Sequence, residues 1–221
     1  MHRIVALGLL AACGSSSPPV VANAAVKGPP YLALFERGRA WTLPIEVTSG
    51  RKPDAFVVDH TDRGQVRCAV ADVRRVGDAN VAKLACGEPY KDLSIAGTWV
   101  AEPAGLYHPA IPIDEPDDLS TLTDDDLLLN AAPAERAHSH ALEAGAQQSV
   151  EAFAFDHAWC VRETTSAGAD RRAYTLCFDA GGLTGGSDIM IVGADATWRR
   201  ATFGKVPADP DDPTQASEDR D

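Results

Sequence analysis

The sequence predicts a mainly β protein, an antiparallel β-sandwich or curved half-barrel built from two similar disulfide-bridged β-meanders with a short helical insertion between them. Three observations carry this reading. Short stretches, several of alternating polarity, recur along the chain, as in Ala40 to Thr48, Ile189 to Val192 and Thr197 to Phe203. Turn clusters such as Ser49-Gly50-Arg51-Lys52-Pro53-Asp54 and Gly181-Gly182-Leu183-Thr184-Gly185-Gly186 separate them, at spacings typical of sandwiches and barrels. Two close pairs of cysteines each bracket a turn with strand-like flanks.

The chain opens on His2 and Arg3, followed by the apolar run Ile4 to Ala12, and the small residues Ala11 and Ala12 stand just before Cys13. This is the pattern of a cleaved leader, and the run is far shorter than the roughly 20 apolar residues a spanning helix needs. The segment Leu10-Ala11-Ala12-Cys13 has the form of a lipobox and resembles bacterial lipoprotein precursors. In those proteins the thiol is joined to a diacylglycerol, the chain is cut just before it, and the new amino terminus is acylated. The resemblance implies a signal peptide over 1–12, lipidation at Cys13 and a tether over 13–30, whose Gly14-Ser15-Ser16-Ser17-Pro18-Pro19 start is flexible or semi-extended. Several acyl chains anchor durably where one binds marginally. Gly14, in place of the aspartate that often retains such proteins at the inner membrane, implies the outer membrane in a host with two membranes, on its periplasmic or surface side.

A single β domain is expected over 31–206, with strands at Tyr31 to Phe35, Ala40 to Thr48, Ala55 to Val58, Ser94 to Val100, Ile189 to Val192 and Thr197 to Phe203, besides two hairpins. In an oxidising compartment the four remaining cysteines are read as disulfides. The first hairpin runs from Gln65 to Arg75, turns near Gly77-Asp78-Ala79-Asn80 and returns over Val81 to Gly87. If Cys68 faces Cys86, Val70 faces Leu84 and Val73 faces Val81. The second runs from Trp159 to Thr165, turns at Ala167-Gly168-Ala169-Asp170 and returns over Arg171 to Phe178. There Cys160 faces Cys177, Val161 faces Leu176 and Trp159 faces Phe178. Opposed positions on antiparallel strands are close enough for a disulfide, and the cross-strand apolar pairs support the same register. Each bridge closes a short loop, for which chain entropy gives about 3 kcal/mol. The wide spacing is not that of C-x-x-C metal or redox motifs.

Similar landmarks recur in the two halves, about 31–108 and 150–206. Phe56-Val57-Val58-Asp59-His60 precedes the first cysteine pair and Gly97-Thr98-Trp99-Val100 follows it, while Phe153-Ala154-Phe155-Asp156-His157 and Ala196-Thr197-Trp198-Arg199 flank the second. The C…C…GTW-type pattern resembles short uncharacterised lipoproteins of high-GC bacteria, including myxobacteria. The insertion over 109–149 is Pro-rich and acidic, then Ala-rich. Thr123 is expected to cap a helix through Leu129, and Pro133 to begin another through Ala144. The acidic stretch 207–221 has almost nothing to bury and reads as disordered.

The formal net charge is −12, and removing Arg3 with the leader makes it −13. That balance argues against nucleic acid as a partner and against broad contact with anionic lipid. The carboxylates Asp114, Glu115, Asp117, Asp118, Asp124, Asp125 and Asp126 lack the spacing and central glycine of an EF-hand and read as a solvated loop. His138 and His140, two apart, suit one face of a strand but sit poorly on one helical face, so the helix expected there disfavours joint metal ligation. The Asp59-His60 and Asp156-His157 pairs are the remaining candidate ligand site, as a mixed carboxylate and imidazole set if the halves meet. No nucleophile elbow and no phosphate loop is present. The expected role is binding or structural support in the envelope, with no cofactor, and with a small hydrophobic ligand or an envelope protein as partner. The rival expectation is a hydrolase or metal-dependent enzyme using the Asp-His repeats.

Overall fold

The structure, a computed structural model, describes residues 29–51, 57–109, 112–193 and 197–208. The leader, Cys13, the tether before residue 29 and the tail from residue 209 lie outside the described residues.

Among the described residues, twelve strands form one antiparallel sheet. They are β1 (Ala40–Arg51), β2 (Val57–Val76), β3 (Ala79–Cys86), β4 (Gly97–Ala101), β5 (Gly105–Tyr107), β6 (Leu127–Asn130), β7 (Arg136–Ala141), β8 (Gln147–Phe155), β9 (Ala158–Ala167), β10 (Asp170–Asp179), β11 (Gly182–Val192) and β12 (Thr197–Gly204). The order β6-β5-β4-β3-β2-β1-β12-β11-β10-β9-β8-β7 makes a curled half-barrel, not a sandwich. Two six-stranded meanders, β1–β6 and β7–β12, join through β1 and β12, where Ile45 faces Phe203 and Val47 faces Ala201.

Each meander carries one disulfide, Cys68–Cys86 between β2 and β3 and Cys160–Cys177 between β9 and β10. Val70 faces Leu84, Val161 faces Leu176 and Trp159 faces Phe178, as the sequence predicts. Val73 faces Ala82 instead of Val81, because the register shifts between Val70 and Asp72, and an extra residue on one strand slips every later partner by one. The two bridges lie on opposite faces of the sheet. Cys68 and Cys86 belong to the main core, whereas Val161 and Leu176, the chain neighbours of Cys160 and Cys177, do so in the second hairpin. Trp99 sits on the strand beside the first disulfide hairpin, and Trp198 two ladders beyond the second. The repeated landmarks therefore do not occupy equivalent places.

The insertion departs from expectation. Its helical parts are 3-10 turns at Pro116–Thr121 and Glu143–Gly145, while the two expected helices are replaced by β6 and β7, which complete the two meanders. Leu106 faces Leu129 but Tyr107 faces Leu127, so Leu128 is an extra residue that breaks the alternation of β6, and the three leucines serve two cores. Leu127 joins a small outer cluster with Val81, Val100 and Tyr107, covered by Leu119 and Leu122, while Leu128 and Leu129 join the main core with Leu106. Thr123 does cap, but in a turn: its N–H and hydroxyl donate to Asp126 at 2.9 and 2.8 Å. Asp118 likewise accepts from the N–H groups of Asp114 and Glu115, which hold its carboxyl below the usual range.

The main core fills the concave side. Leu32–Phe35, expected as part of a strand, is a 3-10 turn lying against β2, β3 and β11, so it bridges the two meanders from within. Tyr31 and Leu34 are almost wholly buried there.

Candidate binding cavity

Chemistry enters the concave face through simple alternation. Val161 and Leu176 face the core, so Glu163 and Thr165 on β9, and Tyr174 and Arg172 on β10, share that face further along the same strands. Tyr174 stands opposite Glu163 and Arg172 opposite Thr165. The β3–β4 loop folds back over this wall, burying Leu93 and Ile95. Between them, the Ser94 N–H and hydroxyl both donate to the Asp188 carboxylate on β11, at 2.8 and 2.7 Å. Arg172 donates to the Ser94 hydroxyl at 3.1 Å and lies 3.7 Å from Asp188. Asp188 is a buried charge with the two donors and the cation that such burial requires.

A cavity of about 810 Å³ lies between this wall and the segments around Leu93, His108 and Pro112. Its aromatic side is set by Trp99, which donates its indole N–H to the Ile95 carbonyl at 2.9 Å. His108 stacks on Trp99 with centroids 4.2 Å apart and meets Tyr174 edge-on at 6.2 Å. Burial pushes the His108 imidazole down to about 4, so it is neutral at physiological pH. Gly97 makes the stack possible: at φ +132° it holds a backbone conformation L side chains rarely adopt, and a Cβ there would stand 2.9 Å from His108 Nε2. On the opposite wall the Tyr174 hydroxyl donates to Glu163 at 2.7 Å. Burial raises the Glu163 pKa, partly offset by the hydrogen bonds from Tyr174 and Gln148. Burial, then the neighbouring Glu163, raises Tyr174 well above its ordinary value. The side chain of Arg172 is 55% exposed, against 7% for Asp188, so the cavity offers a positioned cation beside aromatic and apolar surface.

Further along the concave face lies the seam of the half-barrel, where no ladder joins β6 to β7. β6 lies instead against β8, and side chains of β7 make the closing contacts. Arg136 donates to the Asp124 carbonyl at 3.3 Å, and His138 Nε2 lies 3.0 Å from the Asp125 carbonyl. Arg136 also reaches His138 Nδ1 at 3.1 Å. A guanidinium has only donors, so Nδ1 must accept and the proton sits on Nε2, giving a neutral ring that donates to Asp125. His138 and His140 face the same way on β7, opposite Val150 and Gln148, with rings 6.2 Å apart and nearly parallel. His140 Nδ1 is buried and has no hydrogen-bond partner among the described residues. One ligand atom each from Asp125, His138 and His140 can lie within 4.8 Å of the others. The helix expected here would have set the two histidines apart, and the strand brings them together.

The sequence-predicted pairs do not converge. Asp59 lies 3.4 Å from Arg51, and His60 Nε2 lies 3.0 Å from Asp62, all on exposed surface. Asp156 pairs with Lys205, and Asp156-His157 forms the turn between β8 and β9. His60 faces Ser49 near the last residues of β1, whereas Lys205 follows the end of β12 near the first residues of β1. The two pairs thus lie toward opposite ends of the sheet.

Sequence reasoning passed over Glu163, Tyr174 and Arg172, yet the signal was present. The register that sets Cys160 opposite Cys177 also sets Glu163 opposite Tyr174, on the face of the apolar Val161–Leu176 pair. Polar and charged residues continuing a core face mark a lined concavity. Ser94, His108 and Asp188 carry no local signal, since only the folded loop brings them in. No protein-family model matches this chain, and a search of curated proteins finds no match.

Proposed function

We propose that this chain is a lipid-anchored lipoprotein of the bacterial envelope that acts by binding, and that its ligand is a small amphipathic molecule held in the concave cavity. The ligand carries an anionic group to Arg172 and rests an apolar or aromatic body against the His108 and Tyr174 side. The observation that carries the reading is Arg172, fixed by Ser94 and Asp188 and half exposed to a cavity of about 810 Å³. Pockets of this size with a few placed polar groups are the usual form of small-molecule sites. A wholly hydrophobic ligand fits this lining less well than an amphipathic one. The two disulfides agree with an oxidising compartment, and the lipobox-like leader supplies the anchor in this reading. The hydrolase alternative loses support, because its Asp-His pairs stand at opposite ends of the sheet.

Two experiments test the proposal. Mass spectrometry of the unreduced protein from its native membranes is expected to find an acylated amino-terminal Cys13, and an unmodified chain retaining Met1 would overturn the anchor. The anionic aromatic probe 8-anilinonaphthalene-1-sulfonate is expected to bind saturably, one per chain, with binding lost in Arg172→Gln and in Thr165→Trp, which fills the cavity. Equal binding by the wild type and both variants would overturn the site.

A further inference from the structure

We infer that the seam between β6 and β7 holds a divalent transition-metal ion such as zinc, bound by the Asp125 carboxylate and the imidazoles of His138 and His140. The inference stands apart from the ligand cavity and rests on four observations. The three side chains can converge to within 4.8 Å. Two imidazoles and one carboxylate are a donor set suited to zinc and its first-row neighbours. His140 keeps a buried ring nitrogen with no hydrogen-bond partner among the described residues, and leaving such an atom unpaired is costly. Finally, the lone pair of His138 Nδ1 already faces a cation, the guanidinium of Arg136 at 3.1 Å.

The supporting bond is also in place. Ligating histidines characteristically donate their second ring N–H to a carboxylate or carbonyl, which fixes the tautomer. His138 does so through Nε2 to the Asp125 carbonyl at 3.0 Å. An ion at Nδ1 takes the place of Arg136, which retains the Asp124 carbonyl as a partner. Asp125 is exposed, so a fourth position is left to solvent. The ion ties the turn before β6 to the inner face of β7, and so closes the sheet where no ladder does.

The test uses the full mature chain, stripped with chelator and titrated with zinc chloride against a chromophoric chelator. One zinc per chain is expected. Affinity should fall at least ~10-fold in His140→Ala and in Asp125→Asn, the lower end of what losing even a supporting partner costs. His140→Gln replaces His140→Ala if the smaller side chain prevents folding, which near-ultraviolet circular dichroism reports. Arg136→Gln, which removes the competing cation, should bind more tightly than wild type. Cobalt substituted for zinc should give the visible absorption of imidazole and carboxylate ligation. Absence of stoichiometric zinc binding would overturn the site. So would undiminished affinity in the His140 and Asp125 variants, which would place any bound ion on the acidic surface instead.

Discussion

His108 is a histidine held in an environment far from water. Its folded-state pKa of about 4 lies below the ordinary 6.5, so between these values the unfolded chain binds more protons. Stability from this group is complete above about pH 6.5 and is lost as the pH falls toward 4, by up to about 3 kcal/mol. Urea midpoints measured across that window should decline in the wild type and stay flatter in His108→Phe. Glu163 has the opposite sign. Its pKa is raised by burial, so the folded protein holds that proton more tightly, and its contribution shrinks as the pH rises from the ordinary carboxylate value through the raised one. Glu163→Gln, which still accepts from Tyr174, should remove that decline. Gly97→Ala meets both a disfavoured φ and His108 Nε2 at 2.9 Å. Its expected cost is about 1–3 kcal/mol, read as a fall in the denaturation midpoint, with the pH dependence from His108 weakened as the ring is displaced.

At the scale of elements, the hairpins were legible because a disulfide is a register mark. Once Cys160 faces Cys177, each residue of β9 has its partner by arithmetic, and the structure follows that register to Asp170 opposite Ala167. In the first hairpin the arithmetic failed only past Val70, where a bulge that no turn residue announces shifts the pairing. The insertion was misread for a different reason. Leu127, Leu128 and Leu129 with an Asp-rich start look like a capped helix, but the sheet took both segments as strands, β6 buried on both faces and β7 alternating between half-buried and exposed. Tertiary demand overrode local propensity, and the two-residue spacing of His138 and His140 was the cue that agreed with the strand. The bridges span 18 and 17 residues, so chain entropy assigns each about 3 kcal/mol. The double variants Cys68→Ala/Cys86→Ala and Cys160→Ala/Cys177→Ala should each lower unfolding free energy by about that amount, measured in urea without reductant.

For the whole molecule, an antiparallel β architecture, sandwich or curved half-barrel, was legible in the spacing of strands and turns, while the choice between the two and the place where the wall lies open were not. Among the described residues every ladder but one joins strands consecutive in the chain, and the exception pairs β1 with β12. The interruption consequently falls at mid-chain, in the short link 131–135 between β6 and β7, which takes part in no ladder. A protease cutting that link would break no strand pairing and would leave two halves clasped by seven facing positions from Ile45–Phe203 to Arg51–Thr197. The molecule is therefore a natural candidate for a split reporter. Fragments divided at 132/133 and produced together should reassemble into one particle with both disulfides intact, whereas Val47→Pro, on the β1 side of the clasp, should keep them apart in size-exclusion chromatography.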